Sequence, residues 1–347
     1  MTNFMIYGAN GYTGELIARF AAERGLKPVL AGRNREKIEA LAGRLAMPHR
    51  VVDLNDAAGL DSALGEVDFV LHCAGPFSLT ARPMVSACLR NKRHYLDITG
   101  EIAVFEELAA LDAQAKEAGV MVMPGVGFDV VPSDCLARHL KNRLPSATRL
   151  ALAFYGLGRI SHGTQATMTM NAGAGGAVRR AGKIEKVPAA FKTRAIDFGE
   201  FTKTAVTIPW GDVATAFYST GIPNIEVYTV LPASNVALLK ASRYLGWLLA
   251  AKPVQNFLQS RIAPGGPSDE ERAAGKTYLW GEAADDDGNR VQARLVGMEG
   301  YTLTALAALA ICEKVAAGDF AAGFQTPARA YGADLILELD GVTRIDI

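Results

Sequence analysis

An α/β fold is what this chain predicts: a parallel-sheet domain into which a second, α+β domain with a mostly antiparallel sheet is inserted. Three observations predict it. Up to about residue 123, short apolar runs alternate with segments of helical period, the signature of βαβ units. Those runs are continuously apolar, as strands buried on both faces must be. Beyond Pro132 the pattern turns to longer stretches in which apolar and polar residues alternate, as strands with one face toward water do.

The elements follow in order. Residues 4–7 (Phe4-Met5-Ile6-Tyr7) form the first apolar run. In residues 13–24, Leu16, Ile17, Phe20 and Ala21 share one helical face. Strands are then expected at 28–31, 50–53, 68–72, 94–98 and 120–123, with helices at 35–45, 57–64, 80–90 and 103–118 between them. Ser133 or Asp134 is placed to cap a helix running to about residue 144. In the second part, strands are expected at 149–154, 204–208, 213–219, 226–231, 277–284 and 291–298, and helices at 164–174, 236–250 and 301–316. The last two strands flank Asp285-Asp286-Asp287-Gly288-Asn289, which reads as a hairpin turn. The expected division is 1–131 for the parallel-sheet domain and 132–299 for the α+β domain. Residues 300–347 are expected to return to the first domain, because an apolar end helix needs a surface to cover.

The 347 residues suffice for two domains. Lys and Arg balance Asp and Glu at 36 each, so nothing in the charge calls for nucleic acid or an acidic surface. The four cysteines, at 73, 88, 135 and 312, form no CxxC pair, and we read them as free thiols with no metal site. No basic segment leads into an apolar run at the N-terminus, and the apolar stretch 245–251 is far short of the ~20 residues that span a bilayer. A cytoplasmic protein is therefore expected, with a small-molecule substrate.

The turn Gly8-Ala9-Asn10-Gly11-Tyr12-Thr13-Gly14 lies between the first strand and the first helix. Glycine there permits positive φ and close approach of backbone to a pyrophosphate, which a helix N-terminus then meets with free N–H groups. In a βαβ context this predicts a Rossmann-type domain binding a dinucleotide at Gly8, Asn10, Gly11, Tyr12, Thr13 and Gly14. The spacing is GxxGxxG, one residue longer than the usual GxGxxG. At the tip of the second strand, where NAD enzymes carry an acid, stand Gly32-Arg33-Asn34. A guanidinium suits a 2′-phosphate, so Arg33 and Asn34 point to NADP(H). Arg35 reads as a solvated helix residue. The other loops on the same sheet edge should complete the site: Asp53 and Leu54 at the adenine, Ala74, Gly75 and Pro76 at ribose and pyrophosphate, then Gly100, and Gly125 toward the nicotinamide.

With these residues in view, the chain resembles the saccharopine dehydrogenase-like oxidoreductases, and within them the branch that includes trans-acting enoyl reductases. The matching segments are GANGYTG at Gly8, AGRNREK at Ala31, HCAGPF at His72, YLDITGE at Tyr95, PGVGFDVVPSDCLA at Pro124 and GDVATAFYSTGIPNIEVY at Gly211. The resemblance implies a Rossmann domain interrupted by an α+β domain, with the chain returning at its end, and an NADP(H)-dependent oxidoreductase. The saccharopine-forming enzymes have a serine–tyrosine pair after the fifth strand, where this chain has Thr99-Gly100. Their aspartate-bearing turn corresponds to Gly127-Phe128-Asp129, so Asp129 is retained. A cysteine-bearing turn of theirs aligns with Ser161-His162-Gly163-Thr164. The expected reaction is reduction of a C=C (enoyl-type), C=N or C=O bond in a fairly apolar substrate. The alternatives are a saccharopine-type amino-acid dehydrogenase and a non-catalytic NADP-binding scaffold.

A reductase needs a proton donor beside its hydride source. Asp129 and His162 are the candidates; their plain alternatives are a helix cap and a surface histidine. Trp210, Tyr218 and Tyr301 are candidate substrate contacts, with core packing as the alternative. Residues 236–257 carry Leu238, Leu239, Leu245, Trp247, Leu248 and Leu249 among Lys240, Arg243 and Lys252. Three roles are open to this segment: a cover over the pocket, a homodimer contact, or peripheral contact with a membrane surface.

Overall fold

The computed structural model describes residues 3–156, 160–170, 175–249, 251–261 and 265–347. These residues divide into two compact units. The first comprises residues 1–131 and 301–330, the second residues 132–300 and 331–347.

The first unit is a seven-stranded parallel sheet. Its strands and helices alternate as β1 (Phe4–Tyr7), α1 (Tyr12–Glu23), β2 (Val29–Gly32), α2 (Arg35–Leu45), β3 (His49–Val51), α3 (Ala57–Leu64), β4 (Phe69–His72), α4 (Phe77–Asn91), β5 (His94–Asp97), α5 (Ile102–Ala109), α6 (Asp112–Ala118) and β6 (Met121–Met123). Strands β1, β2, β4 and β6 are buried along their whole length, because helices cover both faces. The helix expected at 103–118 is two helices, with Ala110 and Leu111 between them.

The second unit carries a mixed sheet. It opens with α7 (Val131–Arg143), β7 (Arg149–Gly156), α8 (His162–Met170), β8 (Gly176–Arg180), β9 (Lys183–Val187), β10 (Thr193–Asp197) and β11 (Thr202–Thr207). It continues through α9 (Asp212–Thr220), β12 (Asn224–Val230), α10 (Ala233–Leu249), α11 (Lys252–Ser260), α12 (Asp269–Ala274), β13 (Lys276–Ala284) and β14 (Arg290–Met298). The chain then returns to the first unit with α13 (Gly300–Ala316), β15 (Gly323–Phe324) and α14 (Pro327–Tyr331), and ends in β16 (Thr343–Asp346).

The first sheet runs β15-β6-β5-β4-β1-β2-β3, so the strand order reverses between β1 and β4. In open parallel sheets ligands bind at that switch point, outside the carboxyl ends of the strands. The second sheet runs β10-β11-β12-β7-β13-β14-β16, with β8 and β9 beside β12. Its strands pair antiparallel except β7 with β12. Ion pairs from Arg194 on β10 to Glu282 on β13, and from Asp197 to Arg294 on β14, show that this sheet curls until its edge meets its own face. Inside the curl Phe198, Tyr228, Tyr278 and Trp280 are buried together. On the opposite face α7 lies so close to β13 that a Cβ on Gly281 would fall 2.6 Å from Leu140.

Several expectations are corrected. Residues 213–219 are not a strand but most of α9. Seven of its nine residues are buried, so no clean polar face marked the helical period. Strands β8, β9 and β10 were not anticipated. Ser133 and Asp134 do not cap α7 from outside; they lie in its first turn and bond to α9. The Ser133 hydroxyl donates to Asp212 at 2.7 Å, and the Ser219 hydroxyl donates to Asp134. Nor does the whole tail 300–347 return to the first unit. Residues 301–330 do, but β16 pairs with β14. The Asp285–Asn289 turn does join β13 to β14, with the Asp285 carboxylate accepting from the Asn289 N–H at 2.8 Å. Residues 171–174 of the helix expected at 164–174 lie outside the described residues.

Candidate functional site

The glycine turn closes on itself through backbone bonds. The Gly8 and Ala9 N–H groups both donate to the Ala31 carbonyl, at 2.7 and 3.1 Å, and Gly11 N–H donates back to the Gly8 carbonyl at 3.0 Å. Gly8 has φ +84°, and a Cβ there would fall 2.7 Å from the Ala74 nitrogen. Gly14, in the first turn of α1, would drive a Cβ to 2.4 Å from the Gly8 carbonyl oxygen. A side chain at either position would fill the space that backbone now occupies. This makes a cradle of main chain at the N-terminus of α1, whose cap Gly11 has no side chain to occupy the first N–H groups.

At the end of β2 the Asn10 side chain lies over Gly32, where a Cβ would meet its Oδ1 at 2.8 Å. Arg33 is exposed and makes no ion pair among the described residues. Asp53, on the neighbouring loop, feels its charge. Asp53 itself accepts from the Asn55 backbone and side chain, at 2.9 and 2.8 Å. These bonds and the guanidinium hold its carboxyl below the usual range. The Asn34 side chain is engaged locally, where it accepts from Lys37 N–H at 3.0 Å and caps α2. Arg35 pairs with Glu39 one turn on, at 2.9 Å, as a solvated helix residue does.

The loops after β4 and β5 are braced by residues not singled out from sequence. The Thr80 hydroxyl donates to the Ala74 carbonyl at 2.7 Å, and His72 Nε2 lies 3.0 Å from the same hydroxyl. With that proton given to Ala74, Thr80 accepts from His72, which fits a neutral ring protonated at Nε2. Full burial agrees, pushing the His72 pKa down to about 3. Glu101 accepts from Phe77 N–H at 2.8 Å and Ser78 N–H at 3.1 Å, which caps α4 from the next loop. Asp97 ends β5 fully buried. It accepts from the Tyr95 hydroxyl at 2.6 Å, from Thr99 N–H at 2.9 Å and from Gly125 N–H at 2.9 Å. Burial pushes its pKa up to about 6 against the pull of these bonds. One carboxylate thus ties the loop after β5 to the loop after β6. A polar residue closing an otherwise apolar strand was the signal available in sequence.

Asp129 lies on that second loop, beneath Gly100. A Cβ on Gly100 would come 2.7 Å from its Oδ2. Withdrawal from water pushes the Asp129 pKa up to about 7. The loop is anchored on α13, where Phe128 N–H donates to the Thr304 hydroxyl at 3.0 Å. At the start of that helix Tyr301 sets its ring edge-on against Tyr12, centroids 5.1 Å apart. Tyr301 therefore belongs beside the glycine turn. Gly8, Arg33, Leu54, Ala74 to Pro76, Gly100, Gly125 and Asp129 all follow the carboxyl ends of parallel strands.

The remaining candidates lie in the second unit, each among its own neighbours. His162 is exposed at the start of α8, where Ser161 takes the Thr164 N–H. Trp210 packs on Phe154, with centroids 4.7 Å apart. Tyr218 lies near the far end of α9, beside Phe217, whose ring is covered by the buried Arg179 guanidinium at 4.4 Å. Trp210 precedes that helix, so the two aromatics stand at its opposite ends.

The sequence profile described as the saccharopine dehydrogenase NADP binding domain matches residues 4–123, the run from β1 to β6. The saccharopine dehydrogenase-like oxidoreductase of Bos taurus is 28% identical over 162 residues, 41% of this chain and 38% of that protein. The trans-acting enoyl reductase of Mycobacterium leprae (strain TN) is 33% identical over 150 residues, 41% and 36% of the two chains. The chain thus spans well under half the length of the curated relatives it matches. Among solved structures, apo histidine-tagged saccharopine dehydrogenase (L-Glu forming) from Saccharomyces cerevisiae superposes over 100% of both chains, with a TM-score of 0.69 and 14% identity. That is a likeness of fold.

Proposed function

We propose that this chain, whose residues 4–123 match the saccharopine dehydrogenase NADP binding domain profile, is an NADP(H)-dependent reductase of a C=C, C=N or C=O bond in a fairly apolar small molecule. The observation that carries this reading is the common sheet edge on which the main-chain cradle, the exposed Arg33 and the protonatable Asp129 all stand. The bound cofactor would supply a hydride. The chain's own residues then hold the dinucleotide and provide a proton. Gly8, Gly11 and Gly14 leave room for a pyrophosphate at the N-terminus of α1, with Asn10, Tyr12, Thr13 and Tyr301 around it. Arg33 takes the 2′-phosphate with its planar fork. Asp53 with Leu54, and Ala74 with Gly75 and Pro76, border the adenosine half, while Gly100 and Gly125 border the nicotinamide half. The Asp129 carboxyl donates the proton that completes the reduced bond. An enoyl-type C=C is the substrate class we favour, on the support of the similarity to a trans-acting enoyl reductase.

The 2′-phosphate contact is tested with Arg33→Ala. A charge-assisted bond contributes about 1.5–3 kcal/mol, so NADPH affinity should fall about tenfold or more while NADH affinity stays as it was. Equal affinity of the parent protein for the two cofactors, or an undiminished NADPH affinity in the variant, would remove the assignment.

The proton path is tested by NADPH oxidation with a panel of enoyl thioesters, imines and ketones. Turnover on the accepted substrate should decline as pH rises through about 7, since Asp129 donates only while protonated. Asp129→Asn should lose about 100-fold or more in kcat with NADPH affinity intact. Full turnover in that variant would take Asp129 out of the reaction. Oxidation at background with every member of the panel would leave a nucleotide-binding scaffold.

A further inference from the structure

Acidic and basic residues balance over the whole chain, but not in two stretches of the second unit. Residues 135–184 and 227–268 contain no Asp or Glu at all, and the second stretch carries Lys240, Arg243, Lys252 and Arg261. The fold brings these two stretches together. Helix α11 packs against α8 and against α10, and the His162 N–H at the start of α8 donates to the Gly265 carbonyl at 2.8 Å. On these same helices large apolar side chains stand in water: Leu238 is 69% exposed, Phe257 57% and Met168 53%. Exposed cations stand among them. Lys240 is exposed on the helix that carries Leu238, and the Arg261 guanidinium lies 5.2 Å from the Phe257 ring centroid.

We propose that this helical layer docks on an anionic phospholipid surface. Apolar side chains would enter the boundary between headgroups and acyl chains while the cations meet the headgroup phosphates. This is how helices lie on a membrane without crossing it. Among the described residues no helix is long and apolar enough to cross one. The charge pattern decides against the two other occupants. A second copy on a two-fold axis would bring the same patch against itself, cation facing cation. A cover over a pocket would bury its apolar side chains, and Leu238 and Phe257 are not buried. The proposal is independent of the reaction assigned to the first unit.

Flotation of the full chain with vesicles tests it, comparing phosphatidylcholine alone with phosphatidylcholine containing phosphatidylglycerol. The protein should float with the anionic vesicles and be released by salt. Each cation near such a surface contributes about 1 kcal/mol, so Lys240→Glu with Arg261→Glu should weaken binding by about tenfold or more. Leu238→Ser with Phe257→Ser should weaken it as well. All four side chains are exposed, so NADPH affinity and melting temperature should be unchanged in both variants. No flotation, flotation that ignores lipid charge and salt, or a dimer in sedimentation that Phe257→Ser dissociates would each overturn the proposal.

Discussion

Gly8→Ala is expected to lower NADPH affinity by about 10–100-fold and to destabilise the first domain by about 2–5 kcal/mol. The two effects share one cause. At φ +84° an L-residue meets its own carbonyl, which costs about 1–2 kcal/mol. The added methyl would also sit 2.7 Å from the Ala74 nitrogen and 2.8 Å from its Cβ. These atoms belong to a loop held from below by Thr80 and His72, so they cannot step aside as the end of a flexible side chain would. Overpacking of this kind costs about 1–3 kcal/mol. The turn must open, and its N–H groups then leave the positions from which they meet a pyrophosphate. Losing one or two charge-assisted bonds of about 1.5–3 kcal/mol each accounts for the affinity loss. Gly43→Ala is the control. Gly43 lies inside α2 with nothing within 4 Å of a Cβ, so that variant should bind as the parent does and gain about 0.5–1 kcal/mol. Fluorescence titration with NADPH reads both. A Gly8→Ala protein that binds like the parent would mean that the cradle is not where the cofactor sits.

The second large effect is expected at Asp97. Asp97→Ala removes the acceptor of three buried donors at once, the Tyr95 hydroxyl and the N–H groups of Thr99 and Gly125. An orphaned buried donor costs about 1–3 kcal/mol, so a loss of at least about 3 kcal/mol should appear in denaturant unfolding. Asp97→Asn keeps an oxygen for the two N–H groups and can donate its amide to Tyr95, and should cost far less. The pH dependence separates the two forms further. Burial pushes the folded-state pKa up to about 6. From the ordinary carboxylate range to about pH 6, the folded protein therefore holds more proton than the unfolded chain. Stability from this group is fully present at the acid end of that window and is lost as pH rises through about 6. Asp97→Asn should remove that slope. An Asp97→Ala protein as stable as the parent would show that the loops after β5 and β6 do not depend on this carboxylate.

Much of the first domain was legible because its signals are local. Periodicity in a dozen residues marks α1, a run of four apolar residues marks β1, and three glycines between them have few uses other than close backbone approach. The place of Arg33 was legible for the same reason: position along a βα unit tells which residue stands at the end of the strand. The second domain resisted because its helices and strands do not alternate cleanly. Helix α9 is buried nearly all round, and β8 to β10 contain few long apolar runs. Apart from the β13–β14 hairpin, pairing partners were not legible. Ser133 and Asp134 look like caps until α9 arrives beside them.

By itself, then, the sequence determined the alternation of strands and helices, the glycine turn and the basic tip of β2, since each depends on residues within a few positions of one another. The tertiary structure decided the rest. It set Asp97 to hold two loops 28 residues apart, brought Tyr301 against Tyr12, and sent β16 to the second sheet while α13 and β15 joined the first unit. It also packed helices from two acid-free stretches against one another. These are contacts between residues distant in the chain, chosen by which buried surfaces and donors can satisfy one another, and no local pattern encodes that choice.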